Sequence, residues 1–272
     1  MNADQPKPSR LEWNGHTDVG KVRKNNEDSF LGLIVDSTGA RYLGKIGEAD
    51  CGISDFVFAV SDGMGGAMAG EFASRITVEK ITKILPPLFR QNASGLSSGI
   101  DDVMQELFVE IHRQLVYLGS CYEECRGMGA TLSLCWFTPE WMYFGHVGDS
   151  RIYYLPHDGP LRQLTHDDTH VGWLFRNGEL NEREAKTHPR RNVLQKSLGG
   201  GHQFVNPQVG AVGLRSGDRF LLCTDGVTDG LYDARIEDFL RERCAEPARE
   251  IVRQALEVSG RDNITALVVD VI

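Results

Sequence analysis

"FVFAVSDGMGG", residues 56 to 66, is the stretch on which the reading of this chain turns. Phe56 to Val60 form an apolar run short enough for a buried strand, and Asp62 with glycines at 63, 65 and 66 closes it. Gly70 then opens a helical pattern in which Phe72, Ile76, Ile81, Ile84 and Leu85 fall near helical spacing, with Pro86 and Pro87 expected to stop it. Glycine adopts backbone angles closed to other residues and lets a second group approach closely. An aspartate at a strand end beside such a turn is therefore either a solvated turn residue or a group that holds something.

Working toward the N-terminus, residues 16–22 and 29–35 read as two strands joined by the polar "RKNNED", and 39–54 as a surface loop or hairpin. Toward the C-terminus, "NASGLSSG" at 92–99 is a connector, and Val103, Leu107, Ile111, Leu115 and Leu118 mark a helix over 100–118. From 128 the period changes to that of short strands joined by turns: "GATLSLCWF", "WMYFGHVGDS", "RIYYLP" and "LRQLT". Two short helical pieces and the basic "HPRRN" occupy 168–200. Strands follow near 204–212 and 218–224, helices over 233–243 and 247–258, and a last strand over 263–272. Strands grouped around paired helices predict an α+β fold. Two antiparallel sheets pack face to face with helices outside, a four-layer α-β-β-α sandwich.

The chain has 272 residues and a net charge of −9, which fits one large domain and argues against the basic stripe of a nucleic-acid binder. We expect residues 1–10 to be a polar tail and 11–272 a single domain. The polar "MNADQPKPSRLEWNG" resembles no secretory signal, and no apolar run approaches the roughly 20 residues of a membrane span. A cytoplasmic location follows as an expectation. The cysteines at 51, 121, 125, 135, 223 and 244 are scattered, and "CYEEC" lacks a second pair for zinc, so reduced thiols are expected.

Asp62 is not alone. Asp149 follows an apolar strand beside Gly148, Asp225 follows Phe220-Leu221-Leu222, Asp262 precedes the final strand, and Glu27 and Asp28 lie where the first two strands meet. Singly, each reads as a turn carboxylate. Together they could converge at one end of a sandwich, where like charges need a cation between them. Oxygen donors select a hard divalent ion, Mg²⁺ or Mn²⁺, over zinc or copper, and a glycine beside Asp62 would let a backbone carbonyl join them.

These motifs resemble the metal-dependent type 2C (PPM) Ser/Thr protein phosphatases of bacteria. "VRKNNEDS", "SDGMGG", "GATL", "GHVGDSR", "HPRRNVL", "TDGVTD" and "GRDNIT" occur in that family's order from about residue 13 to the C-terminus. The resemblance implies hydrolysis of phosphoserine and phosphothreonine on proteins by in-line attack of a metal-bridging hydroxide, opposing a bacterial Ser/Thr kinase. It implies that Asp62, Asp225 and Asp262 ligate one ion, that Glu27, Asp62 and the Gly63 carbonyl serve the second, and that Asp149 with Asp225 holds a third, weaker one. Arg23 would grip the substrate phosphate, as a planar guanidinium can engage two oxygens at once. Arg23 and Asp62 are thus the catalytic candidates, and Mn²⁺ or Mg²⁺ the cofactor. The expected partners are phosphorylated proteins, a kinase among them, acted on by a monomer without nucleic acid or membrane insertion.

One departure stands out. Eukaryotic relatives carry a histidine after the "DG" where this chain has Met64, so the proton for the leaving alkoxide needs another source; a metal-bound water is one candidate. His146 reads more simply as a strand histidine, Cys223 as a packed strand residue, and Met64, Met68 and Phe72 as packing. Residues 165–200 resemble the family's flap, where Arg190 and Arg191 either attract phosphopeptides or are merely solvated. Two other classes remain: a binding module without catalysis, which would require loss of ligands that are all present, and a hydrolase of small phosphoesters or phosphodiesters. The acidic balance and the lack of interleaved basic and aromatic residues disfavour nucleic acid.

Overall fold

The computed structural model describes residues 8–36, 38–52, 54–65, 69–93 and 99–272. In chain order its strands are β1 (Arg10–Asp18), β2 (Asp28–Asp36), β3 (Gly39–Tyr42), β4 (Ile46–Asp50), β5 (Asp55–Met64), β6 (Gly129–Ala130) and β7 (Leu132–Phe137). There follow β8 (Trp141–Val147), β9 (Arg151–Leu155), β10 (Arg162–Gln163), β11 (Leu198–Gly199), β12 (Gln208–Gly213), β13 (Arg219–Cys223) and β14 (Ile264–Val271). The helices are α1 (Ala69–Ala93), α2 (Ile100–Cys121), α3 (His170–Arg176), α4 (Glu182–Thr187), α5 (Asp225–Gly230), α6 (Asp233–Arg241) and α7 (Pro247–Val258).

The strands form two antiparallel sheets. One runs β10-β9-β13-β14-β1-β4; in the other β5 lies between β2 and the β6–β7 pair, with β3, β8, β12 and β11 outside them. Alternation along each strand builds the layers, because successive side chains point to opposite faces. In β5, Phe56, Phe58 and Val60 enter the core between the sheets, while Val57 and Ala59 face α1 and α2. In β14, Leu267 and Val269 enter the same central core, and Ala266 and Val268 face α5, α6 and α7. Each fully buried aliphatic or aromatic side chain contributes about 1.5–3 kcal/mol. The expected α-β-β-α sandwich is the observed one.

The elements depart from the expectations where packing overrides local signals. The first strand occupies 10–18, not 16–22; its backbone pairs with β14 from Leu11 through Asp18, and residues 19–22 leave the sheet. Residues 39–54 are not a hairpin, because β3 pairs with β2 in one sheet and β4 with β1 in the other. The strand expected to close at Asp62 continues to Met64, so Asp62 lies inside it. Helix α1 runs through Pro86 and Pro87, which should have ended it, and Leu88 beyond them is buried in the core. Burial of that turn offsets the lost N–H donors, an instance of tertiary packing overruling propensity. The β8–β9 link is a crossover between sheets rather than a hairpin turn. Most of the 92–99 connector and most of the N-terminal tail lie outside the described residues, as do Met68 and Gly66.

Candidate active site

The acidic residues reach one end of the sandwich by separate routes. Asp28 opens β2 directly opposite Asp62 on β5. Asp149 lies in the β8–β9 crossover, Asp225 is the first residue of α5, and Asp262 precedes β14. Strands β13 and β14 pair side by side, with Cys223 against Ala266, which brings the Asp225 and Asp262 ends together.

A hydroxyl network holds these ends. The Thr224 and Thr265 hydroxyls each donate to the Asp28 carboxylate at 2.7 Å. Behind Thr265, its hydroxyl lies 2.8 Å from that of Thr17, which accepts from the Asn26 amide at 2.8 Å. Across the sheet, the Asp62 amide donates to Thr131 Oγ1 at 2.9 Å, and Thr131 Oγ1 lies 2.7 Å from Ser150 Oγ beside Asp149. Buried hydroxyls that also satisfy backbone groups fix both strands against sliding.

Gly63 and Gly70 show why the motif needs glycine. A Cβ on Gly63 would lie 1.9 Å from the Gly70 carbonyl oxygen, and one on Gly70 would lie 2.8 Å from the Glu27 carboxylate. Only the absence of both side chains lets the start of α1 sit against Glu27. The Gly63 amide also donates to the Glu27 carbonyl at 3.1 Å.

The electrostatics follow from this crowding. Burial pushes the Asp28 and Asp149 carboxyls up to about 7, with neighbouring carboxylates adding to it. Asp62 is held well above the usual carboxylate range by burial and then by Asp28, Asp225, Asp149 and Asp262; Asp225 rises likewise through burial, Asp149 and Asp229. Burial raises Glu27 too. Asp225 Oδ1 is buried with no hydrogen-bond partner among the described residues. An orphaned carboxylate oxygen amid like charges is costly, and a divalent cation with oxygen ligands removes that cost. The donor set therefore fits such an ion in its chemistry. No three described His, Cys, Asp or Glu side chains close around a common point, so the donors are assembled by the backbone without being gathered.

Arg23 lies on the loop between β1 and β2, and its guanidinium donates to Asp262 Oδ2 at 2.7 Å. That bond raises the pKa of Arg23. Arg191 is drawn into a two-pronged pair with Asp229 at 3.2 and 3.1 Å, whereas Arg190 is exposed with no ion-pair partner among the described residues. Arg151 makes a matching fork to Asp167 at 2.9 and 2.7 Å. These pairs line a cleft of about 60 Å³ between residues 165–200 and the acidic end, together with Asp149, Lys186 and Asp225. That volume suits ions or a few waters. A phosphorylated side chain needs more room and would have to approach from the open side.

His146 is wholly buried: Nδ1 lies 2.8 Å from the Ser133 hydroxyl and Nε2 3.0 Å from the Gly148 carbonyl. Burial lowers its pKa, so it stays neutral and reaches no substrate. Cys223 is buried in β13, its thiol pushed up to about 12, and all six cysteines are free. Phe72, expected to pack, is 46% exposed and carries the Arg75 guanidinium 5.8 Å from its ring centre. The sequence reading assigned no role to Thr131, Thr224, Thr265 or Asn263. Their signal was only adjacency to the acidic residues; the pairing that makes them partners is tertiary.

An antiparallel two-sheet sandwich with carboxylates at one end is the architecture of a known class, and the chain belongs to it: residues 52–258 match the family Protein phosphatase 2C. The chain is 34% identical over 263 residues to the serine/threonine protein phosphatase PstP of Mycobacterium tuberculosis, covering 96% of this chain and 45% of that protein. It is 31% identical over 257 residues to the serine/threonine phosphatase stp of Listeria innocua, covering 93% of each. The chain thus spans about half of its mycobacterial relative and nearly all of the Listeria one. The solved catalytic domain of a serine threonine protein phosphatase PstP, in complex with two manganese ions, superposes with a TM-score of 0.76 at 30% identity, covering 97% of this chain and 99% of that one.

Proposed function

We propose that this chain is a metal-dependent protein phosphatase that hydrolyses phosphoserine and phosphothreonine monoesters on proteins, through one catalytic domain over 11–272. The observation that carries this reading is the set of buried and half-buried carboxylates from separate parts of the chain, raised by burial and then by one another's charge at one end of the sandwich. The manganese complex of the PstP catalytic domain supports the same cofactor, Mn²⁺ or Mg²⁺, here.

Asp62, Asp225 and Asp262 would hold one ion; Glu27, Asp62 and the Gly63 carbonyl would hold a second; Asp149 and Asp225 would hold a third, weaker one. When bound, such ions supply an activated water and neutralise charge on the phosphoryl oxygens. The chain does the rest. Asp28, fixed by two threonine hydroxyls, ties the start of β2 to the β13 and β14 ends of the facing sheet. Arg23, which donates to Asp262 and has further N–H groups free of it, orients the phosphate. His146 moves no proton to the leaving group, being sealed between the sheet and the Gly148 carbonyl. The partners we propose are phosphorylated proteins, including a Ser/Thr kinase that the enzyme opposes, with the chain acting as a monomer in the cytoplasm.

The test uses EDTA-stripped protein and a phosphothreonine peptide, with Mn²⁺, Mg²⁺, Ca²⁺ or Zn²⁺ added back separately. Phosphate release with Mn²⁺ or Mg²⁺ alone supports the proposal. Silence with every metal, from folded protein, replaces it with the binding-module reading.

A further inference from the structure

The segment 19–27 carries Arg23 and Glu27, yet it has no regular secondary structure and residues 21–25 are all exposed. A surface segment with so little apolar burial keeps its shape only through hydrogen bonds. Three of them come from a single side chain. Asn263, 2% exposed at the base of the segment, accepts from the Glu27 amide through Oδ1 at 2.7 Å. Its Nδ2 donates to the Val19 and Asn25 carbonyls, each at 2.9 Å.

The partners fix the amide's orientation, since two carbonyls require donors and one N–H requires an acceptor. No other side chain of this length supplies one acceptor and two donors. Aspartate would set oxygen against two carbonyls and add a charge beside Asp262 and Glu27. Serine would reach at most part of the set. The three contacts fall at Val19, at Asn25 beyond Arg23, and at Glu27, so one side chain pins both ends of the segment, beside the Lys21 amide hydrogen bond to the Gly260 carbonyl at 2.7 Å and the Asn26 side-chain amide bond to Thr17 at 2.8 Å.

We infer that Asn263 is the positioning residue of this site: it shapes the 19–27 loop so that the Arg23 guanidinium and the Glu27 carboxylate face the acidic end together. The inference rests on the phosphatase reading for its kinetic consequence and on the loop geometry alone for its structural one. Asn263 touches no reacting group. It acts through Arg23 and Glu27.

Two readouts on the full chain separate these parts. The first is limited trypsin digestion, since Lys21, Arg23 and Lys24 place cleavage sites inside the loop. In Asn263→Ala, cleavage there should accelerate about tenfold or more, as three hydrogen bonds to the loop are lost. The second is steady-state kinetics on a phosphothreonine peptide with saturating Mn²⁺, in Asn263→Ala, Arg23→Ala and the double variant. The expected result is a KM about tenfold higher in each single variant and little further rise in the double, because both changes remove the same phosphate contact. Asn263→Asp, which keeps the acceptor and loses both donors, should show the same pattern and serves where the alanine variant fails to fold. Unchanged loop cleavage in a folded variant overturns the proposal, as do additive effects on KM. If neither variant folds, the amide supports the domain as a whole and the positioning role is likewise overturned. Should the wild-type chain release no phosphate with any metal, the phosphatase reading falls, while the digestion still decides whether Asn263 shapes the loop.

Discussion

Asp62 and Asp225 are costly as they stand: each is half-buried and surrounded by further carboxylates, and one buried Asp225 oxygen has no partner among the described residues. Folding tolerates this arrangement where charge is later neutralised, which is why perturbed carboxylates mark functional sites. Asp62→Asn and Asp225→Asn should each lower kcat on a phosphothreonine peptide by about three orders of magnitude in metal-titrated assays; activity near wild type in either removes that residue from the ligand set. Away from the site, Asp55 offers a cleaner titration. Burial raises its carboxyl to about 6 although the Trp136 indole N–H donates to it at 2.8 Å. A raised folded-state pKa means that the folded protein binds this proton more tightly than the unfolded chain does. Its contribution is therefore favourable at low pH and declines as pH rises from about 4 through 6. Asp55→Asn keeps an acceptor for Trp136 and removes that penalty. It should gain about 1–2 kcal/mol at pH 7 by denaturant titration, with a flatter stability profile between pH 4 and 6.

At the scale of elements, local signals held wherever one face of a strand or helix is buried, and failed where another element made the decision. The apolar runs at 56–60 and 266–269 are visible in the chain because both faces of these strands are packed, and the helical spacing in 100–118 because one face of that helix is. The continuation of α1 past Pro86 and Pro87 was not legible, since the last turns depend on docking of Leu88. Leu88→Ala should cost about 2–4 kcal/mol in urea unfolding; a change below about 0.5 kcal/mol would mean that the post-proline turn contributes nothing to the core. The start of α7 at Pro247 was legible, but what caps it was not. Its Ala248 amide is capped by Asn14 Oδ1 from β1, 234 residues away, a partner that no capping signal near Pro247 reveals. Asn14→Ala should cost about 1–2 kcal/mol, measured in the same way.

The whole molecule couples these scales, because its acidic end is built from both sheets at once. On the proposed assignments, residues of the β1–β2 loop, β5, α5 and the turn before β14 would hold an ion there, and it would stabilise the folded chain over the unfolded one by mass action. Mn²⁺ at a hundred times its dissociation constant should add about 2.7 kcal/mol, seen as a higher Tm than in EDTA. Asp225→Asn should lose most of that increment, whereas Asp55→Asn should retain it. An equal increment in Asp225→Asn would place the stabilising ion elsewhere. Among the described residues no helix is long and apolar enough to cross a membrane.

The sequence by itself determined the sandwich and the family, because short apolar runs between turns, amphipathic helices and motifs of fixed order are local properties that survive without knowledge of contacts. It also placed acidic residues at the strand ends, since Asp-Gly turns are written in adjacent residues. The tertiary structure alone decided that Asp28 faces Asp62 and is held by Thr224 and Thr265, that Arg23 reaches Asp262, that His146 is sealed away, and that Asn263 organises the 19–27 loop. The physical reason is the same in each case. A hydrogen bond or charge pair between residues 13 to 244 positions apart exists only after the sheets have packed, and no local preference encodes it.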